Sequence, residues 1–476
     1  MLELFNKLTP EEIIKFEKLI NSPYFNSVEK VLKLFYYFKG LHPSVSKEDM
    51  LREKISENVF KNESLTPEMF WKLKSDFSRV FEKFLVLEEI GNDSLNYDTT
   101  LMKALRKRGA KKELESLLNK IIKSRKKLYN KDDNYYLTKI NINEEEYYLK
   151  LPGILYEFPD CLQAKSDNLD FYFIFMKFHS FYEMFIHQYH NGKPLNFSKT
   201  FYKELTDFVK QNSVMIYKDH PNIYVIYLVL LMFSDNVRDA SVQKLLKYLR
   251  KNENNFSQKQ LSYYYRYIES FYYMKINEGQ VNLNNDLYEI YKLMFEKDLF
   301  ILENTITDKE FNNVINISLP LGKYQWTSIF IEKYKDHIQP DLAIESYNLA
   351  KAKYYFYTKD YKKVFPHLNL IHYKDPHYYI NSKVLLAKVL YETSSFDTLK
   401  SMLESLRKYI SREKKLTEQM LAGMKNFIKF MTLLAKIKEE NKKEEISILK
   451  KLIETEKKFI SSKSWFVDKI VEREKS

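Results

Sequence analysis

The sequence predicts an all-α protein built from stacked antiparallel helical hairpins. Eight glycines and twelve prolines in 476 residues are too few for the turns of a β-sandwich, a barrel or a glycine-looped nucleotide-binding fold. Apolar residues recur every three or four positions along most of the chain, and a hydrophobic fraction of 45% argues against disorder. We therefore expect more than about 65% helix and under about 5% strand, against about a third helix in average globular proteins.

Capping signals indicate where several helices begin. The run TPEE at 9–12 combines a capping box with proline at the first helical position, and TPE at 66–68 opens a second helix. Ser257 followed by Gln260 has the same capping pattern. With stops near Gly40 and at 191–194, 219–221 and 374–376, the chain divides into about twenty segments joined by short loops.

Composition suggests three parts. Residues 1–92 form an N-terminal helical domain, because they are nearly neutral and end where the basic run begins. Residues 93–152 form a basic helical segment, and two prolines and a glycine between 152 and 159 interrupt the pattern. Residues 153–476 follow as one region of helical hairpins.

The basic segment holds most of the net charge of +13. Residues 103–131 contain twelve basic and two acidic residues, a net charge of +10. Gly109 and Ala110 predict a turn between two helices, the second of them amphipathic. Such a helix contacts nucleic-acid phosphates, an anionic membrane surface or an acidic protein; the alternative is a solvated face without a partner. The candidate basic patch consists of Arg106, Lys107, Arg108, Lys111, Lys112, Lys120, Lys123 and Lys127.

Residues 352–371 and 387–406 resemble each other at an offset of 35 positions. Ala352 aligns with Ala387, and Lys353 aligns with Lys388. A weaker copy with Tyr324 precedes them at an offset of 37. A period near 34 residues with two helices per unit is typical of helical-repeat proteins. An irregular helical bundle is the alternative.

These residues resemble the tetratricopeptide-repeat family, clearly over 340–411 and weakly elsewhere. Ala352 stands at the family's small residue, Tyr355 at its aromatic position and Pro376 at its closing proline. Lys351 departs from the family pattern, which has leucine there. The loop SPYFN at 22–26 and the later helices also resemble an uncharacterised bacterial family, which implies no function.

The tetratricopeptide resemblance implies a curved superhelix in the C-terminal half that binds a protein or peptide partner and carries no chemistry of its own. In that arrangement the first helix of each unit lines a groove, and the recurring Lys353 and Lys388 would lie side by side to receive a carboxylate. The predicted groove residues are Ser346, Lys353, Phe356, Tyr357, Asn381, Lys388, Tyr391 and Glu392.

Histidines provide the only candidate metal ligands. His179, Glu183, His187 and His190 share one helix face, but their span of about 16 Å limits one ion to a pair such as Glu183 and His187. Imidazolium groups at a helix C-terminus are the alternative role. We expect neither a metal nor a cofactor.

No motif points to an enzyme. The sequence lacks a glycine-rich phosphate loop, G-x-S-x-G and H-E-x-x-H. One cysteine, Cys161, excludes a disulfide framework, and the longest apolar run, 223–233, is too short to span a membrane. Together with an N-terminus that lacks an apolar leader core, these features predict a cytoplasmic, non-enzymatic scaffold. A nucleic-acid-associated protein that uses 103–131 is the alternative.

Overall fold

The computed structural model of the chain describes residues 1–476 except 61–64, 93, 126–130, 152–159, 192–193, 235–237, 372–374, 415 and 476. In this part of the chain helices of all kinds make up 81%, among them 24 α-helices, and no strand is present, which confirms the predicted all-α class. None of these described helices is both long and apolar enough to cross a bilayer.

The chain divides into two compact units. The first contains Met1–Phe181 and Thr200–Ile223, and the second contains Tyr182–Lys199 and Tyr224–Ser476. These boundaries differ from the expected one at 92–93, while the expected one at 152–153 falls on residues outside the described ones.

The first twelve helices begin in the first unit. They are α1 Leu2–Asn6, α2 Pro10–Ile20, α3 Glu29–Leu41, α4 Arg52–Val59, α5 Pro67–Asn92, α6 Ser94–Lys107, α7 Lys111–Arg125, α8 Asp133–Lys150, α9 Asp160–Asn191, α10 Tyr202–Gln211, α11 Ser213–Asp219 and α12 Pro221–Phe233. Helices α9 and α12 contribute residues to both units.

The remaining helices belong to the second unit. They are α13 Arg238–Lys251, α14 Gln258–Asn277, α15 Asn284–Glu296, α16 Asp308–Ser318, α17 Tyr324–Tyr334, α18 Ala343–Tyr357, α19 Tyr361–Asn369, α20 Pro376–Glu392, α21 Phe396–Arg412, α22 Glu418–Glu440, α23 Glu445–Thr455 and α24 Lys463–Lys475.

Local capping sets several of these boundaries. At α2 the backbone N–H of Glu12 donates to Thr9 Oγ1, and Thr9 N–H donates to Glu12 Oε2 at 2.7 Å, so the predicted capping box is formed. Ser257 and Gln260 form the second predicted box at α14. Gly40 does not stop α3, which continues to Leu41.

Aromatic side chains build the core of residues 5–84. Ten ring pairs involve Phe5 or Phe16 within this cluster, with ring centroids 5.0–6.5 Å apart. Rings at these distances pack favourably edge-to-face or offset. The fully buried members are Phe5, Phe16, Phe35, Phe38, Phe77, Phe81 and Phe84.

In the second unit the same turn geometry recurs between paired helices. Helices α14, α16, α18, α20 and α22 are each followed, one to four residues after their last residue, by a residue of positive φ. The N–H of the next residue donates to a carbonyl five positions earlier. This Schellman geometry closes the last turn and directs the chain into an antiparallel partner helix. The positive-φ residues are Gly279, Gly322, Lys359, Ser394 and Asn441.

Candidate partner groove and basic helix

The predicted groove residues converge on one cavity in the second unit. The cavity has a volume of about 140 Å³ and lies among α16, α18, α20 and the residue that precedes α24. Five of the eight predicted residues line it, namely Lys353, Phe356, Tyr357, Asn381 and Lys388.

Three of the lining residues lie on three different helices. Asn316 lies on α16, Lys353 lies 37 positions later on α18, and Lys388 lies a further 35 positions along on α20. Lys353 Nζ donates a hydrogen bond of 2.8 Å to Asn316 Oδ1. Lys353 on α18 and Lys388 on α20 thus line the same cavity.

Both lysines are less basic than usual. Removal from water lowers the pKa of Lys353 to about 8. Burial together with the neighbouring charge of Lys353 lowers the pKa of Lys388 to about 7. Each side chain keeps partial contact with solvent. No carboxylate of the described residues lies within ion-pair distance of either ammonium group, so nothing of opposite charge offsets these effects.

The structure does not place Ser346 in the groove. Ser346 is fully buried between α16, α18 and α20, where its hydroxyl bonds with Tyr378 and accepts a 2.8 Å hydrogen bond from Asn312 Nδ2. Ser346 therefore belongs to a buried polar network. The helical periodicity of the sequence does not distinguish such a buried position from a position that faces the groove.

The groove ends against helix α24, so Tyr391 and Glu392 face the chain's own C-terminal helix instead of open solvent. Tyr391 is buried and contacts the Trp465 ring edge-to-face, with centroids 5.4 Å apart. Glu392 forms a 2.7 Å ion pair with Lys469. The ammonium of Lys388 lies 5.5 Å from the centre of the Trp465 ring.

Sequence reasoning assigned no role to α24. Trp465, Phe466 and Ile470 are buried on its inner face, and the rings of Phe427 and Phe430 on α22 pack against Phe466. The spacing of these apolar residues predicts an amphipathic helix, but a helical period does not say which surface of the unit the helix covers.

The basic patch lies on both sides of the predicted turn between α6 and α7. Gly109 adopts φ = 66°, which glycine accommodates without strain. Six patch residues are exposed, and Lys127 lies outside the described residues. The exposed residues are Lys107, Arg108, Lys111, Lys112, Lys120 and Lys123.

Arg106 departs from the predicted patch because its guanidinium group points toward α8. It lies 3.4 Å from Glu145 and 3.9 Å from Glu144, and it stacks 4.2 Å from the centre of the Tyr148 ring. Burial raises the pKa of Glu145, and the charge of Arg106 opposes that shift. Arg106 therefore joins α6 to α8 within the first unit.

The described residues contain no group of three or more His, Cys, Asp and Glu side chains placed to hold a metal ion. Burial lowers the pKa of His179, whose ring contacts Phe175 with centroids 4.6 Å apart. The His190 side chain lies outside the described part of the structure.

Comparison with known proteins adds no assignment. No protein-family model matches the chain, and neither a curated protein nor a solved structure matches it significantly.

Proposed function

We propose that the chain is a cytoplasmic, non-enzymatic scaffold of tetratricopeptide-like helical repeats that binds a protein or peptide partner in the groove of its second unit. The observation that carries the proposal is the alignment of Asn316, Lys353 and Lys388, which project from three successive first helices toward one cavity. Stacked hairpins with equivalent positions on one side form the extended surfaces that repeat proteins use for binding.

The recurring Schellman turns support the same proposal. The same geometry follows α14, α16, α18, α20 and α22, and it also follows α15 at Asp298. It thus recurs along the second unit, although only two of these six turns use glycine. Because α24 covers Tyr391 and Glu392, the accessible part of the groove is bordered by the exposed side chains of Asn316 and Asn381. A partner segment would enter there and reach Lys353.

A blocking substitution at the groove tests the proposal. Asn381→Trp places a bulky ring at the rim of the cavity, whereas Lys362→Trp places the same ring on the exposed face of α19. We expect proteins that co-purify with the tagged chain from its own host to be lost with Asn381→Trp and retained with Lys362→Trp. Equal capture by both variants would contradict binding in the groove.

A nucleic-acid role for the basic helix is the second candidate. The observation in its favour is that Lys112, Lys120 and Lys123 are all exposed and line one open depression along α7, which also includes Asn119 and Glu115. Exposed lysines on one helix face can contact successive phosphates, and each such contact contributes to the salt dependence of binding.

Mobility-shift titration with duplex DNA and RNA at about 50 mM salt tests this role. The triple variant Lys112→Gln/Lys120→Gln/Lys123→Gln should weaken binding for all sequences and flatten its salt dependence. A charge-matched control replaces Lys18, Lys203 and Lys210, which are exposed elsewhere in the first unit. An equal loss of affinity in both triple variants would contradict binding on α7.

A further inference from the structure

The cavity among α16, α18 and α20 is lined by positively charged residues without negatively charged ones. Two lysines, Lys353 and Lys388, line it, and its described lining includes no carboxylate. We propose that this cavity binds a small tetrahedral oxyanion with two negative charges, such as phosphate or sulfate, between Lys353 and Lys388.

The electrostatics favour a bound anion. Two like charges that are partly removed from water repel each other, and each loses hydration. The charge of Lys353 contributes to the lowered pKa of Lys388, so the two ammonium groups are close enough to interact. A dianion placed between them would reverse both effects and form charge-assisted hydrogen bonds.

The size and the other lining groups suit a small oxyanion. The cavity volume of about 140 Å³ exceeds the ~10–15 Å³ that one water requires, so the cavity has room for an ion of several heavy atoms. Asn316 accepts a hydrogen bond from Lys353 through its Oδ1, so its side-chain amide lies beside the cavity. Asn381 adds a second amide to the lining. Phe356 and Val384 form apolar walls.

Other charged groups near the site lie on α24. Asp468 is close enough to Tyr357 that its charge, after burial, contributes to raising the pKa of that phenol to about 12. The Glu392 carboxylate is paired with Lys469, so it does not act as a counter-charge for the cavity lysines. Tyr324 on α17 also interacts with Tyr357.

The lowered basicity of the lysines predicts how binding depends on pH. At pH 6.5 the larger fraction of both amines is protonated, because this pH lies below the pKa values of about 7 for Lys388 and about 8 for Lys353. As pH rises through 7 to 9 they lose their charge and the site loses its attraction for an anion. Sulfate keeps its two charges over this range, so any change in its affinity reports the protein groups.

Isothermal titration of the full chain with sodium sulfate and with sodium phosphate, against sodium chloride at matched ionic strength, tests the inference. We expect binding of the oxyanions at pH 6.5 and at least tenfold weaker sulfate binding at pH 9. The double variant Lys353→Gln/Lys388→Gln should abolish oxyanion binding at pH 6.5. The control Lys362→Gln/Lys443→Gln, which removes two exposed lysines, should leave this binding unchanged.

A further variant keeps the test decisive if the double variant folds poorly. Lys388→Arg retains a charge that does not titrate in this range, so it should preserve part of the sulfate binding at pH 9. No oxyanion binding at pH 6.5, or binding that is equal in the glutamine variant and its control, would overturn the inference. The titration uses the chain alone, so its outcome is separate from that of the partner-capture experiment.

Discussion

The ammonium group of Lys469 lies 2.7 Å from the carboxylate of Glu392, and each side chain is only 15% exposed. This ion pair joins the last helix, α24, to the end of α20 across 77 positions of sequence. It converts one end of the predicted groove into an internal contact of the second unit.

Loss of this ion pair should loosen α24. In Lys469→Met we expect faster hydrogen exchange over 463–475, because the Glu392 carboxylate is left partly buried without its partner; the loss is on the order of 1 kcal/mol. Hydrogen exchange read by mass spectrometry measures it. Glu472 also contacts Lys469, but its side chain is 63% exposed, so Glu472→Gln should have little effect. Equal exchange in the two variants would contradict a role for Glu392.

The left-handed turn at Lys359 predicts a stabilising substitution. Lys359 has φ = 61°, a conformation that disfavours residues with a Cβ by about 1–2 kcal/mol. Lys359→Gly relieves this strain and should raise the melting temperature, even after the greater flexibility of glycine in the unfolded chain. Thr358 has φ = −82°, so Thr358→Gly should lower the melting temperature. A lower melting temperature in both variants would contradict the left-handed conformation of Lys359.

A buried acidic pair between α14 and α16 predicts a pH effect. Tyr291 donates a 2.9 Å hydrogen bond to Glu269, and Arg266 pairs with Glu310 at 2.9 Å. Burial, with the nearby charge of Glu310, raises the pKa of Glu269. Above about pH 4.3 the unfolded chain ionises this group while the folded chain retains its proton, so stability falls as pH rises.

Glu269→Gln removes that titration. We expect the free energy of unfolding of the variant, relative to wild type, to increase between pH 5 and pH 7 in urea denaturation. Glu289→Gln changes a glutamate that is 65% exposed, and its difference from wild type should stay constant over the same range. A constant difference for Glu269→Gln as well would mean that Glu269 is ionised in the folded protein.

The His220 site predicts a pH effect of the opposite sign. His220 Nδ1 lies 2.6 Å from the Tyr136 hydroxyl, and the ring stacks on Phe171 with centroids 3.6 Å apart. Burial and then the charge of Lys131 lower the pKa of His220 to about 4, against a smaller opposing effect of Asp219. The unfolded histidine binds a proton near pH 6.5, so stability falls as pH drops from 6.5 toward 4.

His220→Gln should abolish that part of the acid sensitivity. The contribution at stake is on the order of 3 kcal/mol, because one pKa unit corresponds to about 1.4 kcal/mol. Nuclear magnetic resonance of the wild-type imidazole should show a neutral ring at pH 5.5. His377 is exposed, and His377→Gln should leave the acid sensitivity unchanged. Protonation of His220 near pH 6.5 would contradict the buried site.

Local signals in the sequence predicted several features whose interacting groups lie within one or two helical turns. The capping box of Thr9 and Glu12 formed because both partners are three residues apart, and the turn at Gly109 formed because glycine tolerates positive φ. The turns at Lys359 and Ser394 carried no such signal, since neither residue type favours that conformation.

The predicted groove includes residues whose contacts with other helices could not be predicted from the sequence. From the offset of 35 we expected Lys353 and Lys388 to lie side by side, and both residues line one cavity. Ser346 has the same helical phase as a groove residue, yet Asn312 and Tyr378 from other helices bury it. Arg106 likewise carries the charge of a surface residue but binds Glu145 on α8.

The sequence by itself determined the helical class and several helix ends, since these depend on capping, periodicity and the scarcity of glycine and proline. Only the tertiary structure decided that α24 covers Tyr391 and Glu392 and that two lysines share a cavity without a carboxylate in its described lining. The physical reason is that helix-to-helix contacts join residues tens of positions apart. Their geometry follows from how whole faces pack, which no local pattern of residues encodes.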